Sequence, residues 1–554
     1  MLVGEDHRTK APPPDVTAAL LGVGHTSDQG RNGDAPGCGQ GSLIHNVSGM
    51  SSVSRPRRLR RFLLVLATVT TVVLLSVGGC VTWVYSGASV STVGSGEFDN
   101  ELVIPPLAQS RLRADGTRVF ELEMRSGQTE FRAGQATTTW GFNGNYLGPT
   151  LRARRGEKVE VEVRNNLSEQ SSVHWHGMHL PAAMDGGPHQ VVQAGSTWTP
   201  HWTVDQPAAT LWYHPHPHGA TEQHVRRGLA GLFLLDDEVS EGLSLPNNYG
   251  VDDLPVIVQD VKFRGNQLDS SHRIFRDIGF LGDRTIVNGT LTPYRNVGDE
   301  LVRLRLLNAS TARVYTFGFA DDRRFSLVGT DGGLLERPAV LDRVRLSPGE
   351  RAEIVVRVRP GERTMLRSTK LDAGLDFWTQ RFAGGDDSFD ILELRAAPTL
   401  RPSPELPAAL AHPSTPDGSD SVRERDFELN LSGINGSPMA MDRIDLTVTR
   451  GTAETWVVHN NDGMPHNFHI HDVQFRVLEL NGAPPPDALT GPKDTIFLPP
   501  NATAKLAMRF DGPADPNSPY MYHCHLLWHE DQGMMGQFVV VEPGQSAGTP
   551  AHHH

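Results

Sequence analysis

Four short motifs carry the side chains best suited to chemistry: His174-Trp-His176, His214-Pro-His216-Pro-His218, His466-Asn-Phe-His469-Ile-His471, and His523-Cys524-His525 continuing through His529 and Glu530 to Met534. Each holds a His-x-His pair, and residues i and i+2 of a strand share a face. The four pairs supply eight imidazoles able to converge: His174, His176, His214, His216, His469, His471, His523 and His525. A zinc site usually takes four ligands, so eight suit a cluster of several metal ions. The same alternation turns Cys524 away from its two neighbours. With His466, His529 and Met534 it forms a His₂Cys set with a weak thioether, the donor set of a blue-copper electron-transfer centre. One extended segment would then carry a single copper on one side and the cluster on the other. A lone His-x-His pair is commonplace, and a lone Cys is usually a small buried hydrophobe. Four pairs with a Cys and a Met at these intervals leave that reading little room.

The elements that must position these residues come from an internal repeat. Asn-Gly turns recur at Asn143-Gly144, Asn288-Gly289 and Asn435-Gly436, each followed by a Gly and, ten positions later, an Asn: Gly156 to Asn166, Gly298 to Asn308, Gly451 to Asn461. Between them polar and apolar residues alternate, as at Val159, Val161 and Val163, the period of a half-buried strand. Asn-Gly is a hairpin-turn signal. Three β-units of this kind predict three consecutive β-sandwiches. Their expected bounds are residues 100–237, 250–395 and 424–542, with a linker over 396–423.

Composition agrees. The chain has 554 residues, 56 Gly and 39 Pro, which favours a turn-rich β-protein over a coiled coil or a polytopic membrane protein. A net charge of −13 argues against nucleic acid as a partner. Three Cys provide no disulfide framework, whereas 24 His suit metal. Residues 1–54 lack apolar periodicity and read as a disordered leader, or as an artefact if translation starts at Met50. Residues 55–85 join the basic cluster Arg55–Arg61 to an apolar run from Phe62, the order of an export signal. A retained membrane anchor is the competing reading, and Val77-Gly-Gly-Cys80 resembles a bacterial lipoprotein cleavage site. Arg60-Arg61 weakly resembles a twin-arginine signal. Every version exports the remainder of the chain, as a secreted protein or on the outer face of a bacterial membrane. The terminal His552–His554 is set aside.

The motifs resemble those of the multicopper oxidases, the family of laccases, copper-efflux oxidases and bilirubin oxidases, over about residues 100–542. The wording is most similar to the copper-efflux group in Met184-Asp-Gly-Gly-Pro188, in Asp205-Gln-Pro-Ala-Ala-Thr-Leu-Trp-Tyr-His-Pro-His216 and in His523-Cys-His-Leu-Leu-Trp-His-Glu-Asp-Gln-Gly-Met-Met535. The resemblance implies an all-β chain of three cupredoxin-like Greek-key sandwiches holding four copper ions. It implies a type 1 copper on His466, Cys524, His529 and Met534, and a type 2 copper on His174 and His469. One type 3 copper would take His176, His214 and His525; the other would take His216, His471 and His523. His218 is left over.

The implied reaction is one-electron oxidation of a small reductant at the type 1 copper, coupled to four-electron reduction of dioxygen to water at the other three. Protons are needed there, and Asp185 and Glu530 match acidic relay positions of the copper-efflux group. Asp462 and Met464 match its cuprous-ion contacts, a soft thioether beside a carboxylate. That group also carries a Met-rich insertion, yet the stretch Ala396–Asp420 has no Met. We therefore expect a less covered type 1 site and a laccase-like oxidase of phenols and aromatic amines. Cuprous oxidation in copper tolerance is the runner-up, and a non-catalytic copper sink is the reading from another class. A copper nitrite reductase fits poorly, having two such domains per subunit and an incomplete eight-His set.

Overall fold

The alternation at Val159, Val161 and Val163 forms the strand Lys158–Asn165, with all three valines buried. The computed structural model describes residues 57–273, 276–413 and 415–550. The expected leader over 1–54 and the terminal His552–His554 lie outside them. The chain divides into two compact units, residues 1–75 and 76–554. The described part of the first is helical, within the helix Arg57–Gly87. The second holds the sheets.

Three pairs of sheets follow one another along the chain. In each pair the repeat strand runs parallel to an earlier one: Lys158–Asn165 beside Arg118–Arg132, Leu301–Asn308 beside Asp253–Val261, and Thr452–Asn460 beside Ser421–Asn430. Parallel neighbours require crossovers between the two sheets, so these are Greek-key sandwiches rather than meanders. The architecture is all-β, three consecutive cupredoxin-like sandwiches. Core residues of the third, including Trp456, Phe468 and Tyr522, form one apolar cluster with Cys524 and Met534.

The repeat is physical. Asn143, Asn288 and Asn435 all have positive φ (58°, 50° and 53°), and Gly289 and Gly436 follow with positive φ, as a type I′ turn demands. Each side chain also caps the neighbouring strand, accepting from the N–H of Glu123, Ile257 or Glu428. The second Asn of the repeat is shifted from the sequence reading. Asn165, Asn308 and Asn460 make equivalent bonds, donating to Val192, Leu346 and Leu498 carbonyls and accepting from the N–H two residues on. Asn166 and Asn461 are therefore one position late. The second copy is longer by one residue, and the strand carrying Gly298 is irregular between Val297 and Asp299.

Two further boundaries differ from expectation. Asn100–Glu101, expected to open the first sandwich, pairs with Pro293–Tyr294 of the second. The strand Phe389–Arg401 runs six residues into the expected linker, and the next strand begins at Ser421.

Candidate metal centres

Register brings the motifs together. In the first sandwich His214 lies opposite His174, and Trp212 opposite His176. In the third, His469 lies opposite His523, on neighbouring strands His466–Ile470 and Tyr520–His523. That last strand ends at His523, so Cys524 and His525 lie just past its end rather than within it. The alternation of side chains persists because Cys524 N–H still donates to Met534 O, 3.1 Å away.

Side-chain nitrogens converge in the groups expected. His176, His214 and His525 form one set, with His214 Nε2 3.4 Å from both His176 Nδ1 and His525 Nε2. His216, His471 and His523 form another, with His523 Nε2 3.2 Å from each partner. His174 and His469 gather with His176. Cys524 Sγ lies 3.8 Å from His466 Nδ1 and 3.4 Å from His529 Nδ1, and those nitrogens are 3.0 Å apart. Met534 is buried, and its N–H donates to His529 O.

Outer hydrogen bonds fix which nitrogen faces inward in six of the eight rings. The Nδ1–H groups of His174 and His469 donate to the carbonyls of Asp185 and Asp494 at 3.0 and 2.9 Å. Their Nε2 atoms are buried without a hydrogen-bond partner among the described residues. His214 Nδ1–H donates to Pro215 O, His523 Nδ1–H to Cys524 O, and His471 Nδ1–H to Asp185 Oδ2 at 2.6 Å. His176 is turned the other way, its Nε2–H donating to Asp494 Oδ1. Metal-binding imidazoles typically show this arrangement, one nitrogen pinned and the other free. Burial, then the neighbouring rings, holds His214, His216 and His471 well below the ordinary imidazole range. His525 and His529 are brought down to about 3, so these rings are neutral and their lone pairs available. Burial pushes the Cys524 thiol up to about 12, so only a bound cation would favour its thiolate. These donors fit copper: buried orphan nitrogens, and a thiolate site without solvent.

The two acids reach the cluster. Asp185 Oδ1 is 3.3 Å from His174 Nδ1 and buried without a hydrogen bond. The Glu530 oxygens lie 3.3 Å from His216 Nδ1 and His523 Nδ1. Asp462 Oδ2 is 3.5 Å from His466 Nε2, and that contact holds its carboxyl down to about 2. Met464 is half-buried beside them. His218 belongs to none of the groups.

The residues expected to hold a type 1 copper are more covered than expected. His466 and His529 are 0% and 2% exposed, and His529 Nε2–H donates to the carbonyl of Asp277 at 2.5 Å. A turn of the second sandwich, Arg276–Ile278, thus covers the edge of the His529 ring. A cavity of about 1110 Å³ is lined by residues that include His179, Asp205, Gln206 and Asp472 and by none of the proposed copper donors.

Three supporting residues escaped the sequence reading. Asn467 Oδ1 accepts from His525 N–H and faces Cys524 Sγ at 3.5 Å. Its place inside the third motif was the available signal. Asp494, in Pro-Lys-Asp-Thr, and Arg351 of the second sandwich carry no local signal. The second sandwich supplies none of the expected donors, yet Gly349 (φ 86°) lies where a Cβ would come within 3.2 Å of the His525 and His176 rings.

Comparisons with known proteins agree with this geometry. Two family models described as multicopper oxidase match residues 123–240 and 408–544. "Multicopper oxidase mco" of Staphylococcus haemolyticus is 36% identical over 455 residues, 81% of this chain and 94% of that protein. "Cell division protein FtsP" of Xenorhabdus nematophila is 37% identical over 452 residues, 80% and 93% of the two chains. Among solved structures, a bacterial laccase-like multi-copper oxidase, CueO, from Ochrobactrum sp. has a TM-score of 0.72 at 36% identity, covering 79% of this chain and all of that one. A laccase from Pediococcus acidilactici has a TM-score of 0.72 at 32% identity, covering 81% and 94%. The chain belongs to the multicopper oxidase family.

Proposed function

We propose a laccase-like oxidase that couples one-electron oxidation of small reductants to the four-electron, four-proton reduction of dioxygen to two waters. The observation that carries the reading is Cys524 meeting His466 and His529 while its neighbours His523 and His525 join the two type 3 sets. When bound, copper would supply one-electron transfer and dioxygen binding. His466, Cys524, His529 and Met534 would hold one ion, His174 and His469 a second, and the two remaining His triplets a third and fourth. The peptide through Cys524 gives a covalent path between the two centres. Asp185 and Glu530 are the groups placed to hold and pass protons. Burial, with Asp531 alongside, raises Glu530 well above the ordinary carboxyl range, which favours its protonated form.

One observation favours cuprous ion as a second substrate class: the carboxylate of Asp462 against His466, with the half-buried Met464 two residues away. Steady-state rates on a phenol and on cuprous ion, repeated with Met464→Leu, separate the two. Loss confined to cuprous ion supports the second reading; equal loss or none removes Met464 from it. The reading from another class is a copper sink, which has the sites without turnover. Oxygen uptake with a phenolic dye decides, because a sink consumes none. The localisation we propose is outside the cytoplasm, anchored through the N-terminal helix.

A further inference from the structure

Among the described residues, large exposed apolar side chains concentrate on the helix Arg57–Gly87, from Leu59 to Trp83. A second group stands on the second sandwich: Phe377, 62% exposed, and Trp378, 49% exposed, at the start of the short helix Phe377–Phe382. This second group meets Tyr85, near the end of the helix. The Tyr85 ring stacks on Phe377, centroids 5.1 Å apart and planes 11° from parallel, and abuts Trp378 and Phe382 edge-on at 6.2 and 6.3 Å. Arg381 covers the other side of Tyr85 at 4.7 Å and donates to the carbonyls of Tyr85 and Ser86. Arg273 donates to Ala88 O. The end of the apolar helix is thus fastened to an aromatic platform that leaves Phe377 and Trp378 facing outward.

We infer that Phe377 and Trp378 rest in the head-group region of the lipid bilayer that the N-terminal helix crosses. The inference rests on the anchored localisation proposed above. Arg58, Arg60 and Arg61 mark the cytoplasmic end of the helix. The run Phe62–Tyr85 rises about 36 Å at about 1.5 Å per residue, against an apolar core of about 30 Å. Tyr85 and the 76% exposed Trp83 therefore emerge at the outer interface, where aromatic rings with a polar edge are favoured. Phe377 and Trp378, in contact with Tyr85, lie at the same level. Cleavage beyond residue 87 would strip Tyr85 from its stack and leave Arg381 without those two carbonyl partners.

The test uses the full chain in vesicles of phosphatidylethanolamine and phosphatidylglycerol whose acyl chains are brominated near the head group. Tryptophan emission is compared for wild type, W378F and W83F. Each variant is expected to lose roughly half of the bromolipid-quenchable emission, with oxidase activity unchanged as the control for folding. Quenching unaltered in W378F but reduced in W83F overturns the platform while leaving the anchor intact. A mature chain released by alkaline extraction, with an N-terminal mass beginning beyond residue 87, overturns the anchor and the platform together.

Discussion

Arg351 of the second sandwich holds Asp494 of the third through two hydrogen bonds, Nη1 to Oδ1 at 2.8 Å and Nη2 to Oδ2 at 2.6 Å, both residues fully buried. Asp494 in turn accepts from His176 of the first sandwich and, through its carbonyl, from His469. A residue from a sandwich without expected copper donors thus orients donors on the other two. Lys493, bridging Asp331 and Glu350 at 2.8 Å, supports the same cluster of charge.

Lysine cannot reproduce that planar fork. Arg351→Lys is expected to weaken copper retention at His469 and His176, the two donors that Asp494 pins, by about 10–100-fold, the usual cost of losing an outer partner. Copper content after graded chelation, together with the type 2 electron paramagnetic signal, checks this. Wild-type retention and signal would show that Arg351 does not act on these donors.

Asp185→Asn and Glu530→Gln keep the shape of each side chain and remove its acid. Each is expected to slow reoxidation of the reduced enzyme by dioxygen by about 10²-fold, with little change in reduction of the blue centre. Rapid mixing follows both half-reactions separately. An equal slowing of the two would argue against a proton role.

Glu353 ties the first sandwich to the second, accepting from Thr210 at 2.5 Å and from the guanidiniums of Arg303 and Arg305. Burial alone would raise its carboxyl; the two arginines overcome this and bring it from 4.5 to about 2. A folded value below the unfolded one gives stability that is full above about pH 4.5 and lost as pH falls toward about 2. Glu353→Gln is expected to cost about 3–5 kcal/mol at neutral pH, because it strands buried arginines. It should also flatten the acid limb in that window. Denaturant unfolding across pH measures both, and an unchanged acid limb would assign that loss to other carboxyls.

The sequence exposes what is periodic and local. The Asn-Gly turns and the alternation around Val161 are backbone geometry written in residue type, and the His-x-His spacing converts directly into shared faces. The donors were legible for that reason. Asp494 and Arg351 were not, because their pairing joins residues 143 positions apart across sandwiches. Nor was the cover over His529, which is a backbone carbonyl at Asp277, a group every residue possesses. The placement of Asn100–Glu101 on the second sandwich likewise depends on edge pairing that two residues cannot announce.

Cys524 is the hinge of the two-centre reading, and copper analysis beside the visible spectrum interrogates it. Fully loaded wild type should hold about four copper ions with an intense blue band, and Cys524→Ser about three with the band gone and the fold retained. A blue band surviving in Cys524→Ser, or far fewer than about four ions in loaded wild type, would contradict the assignment.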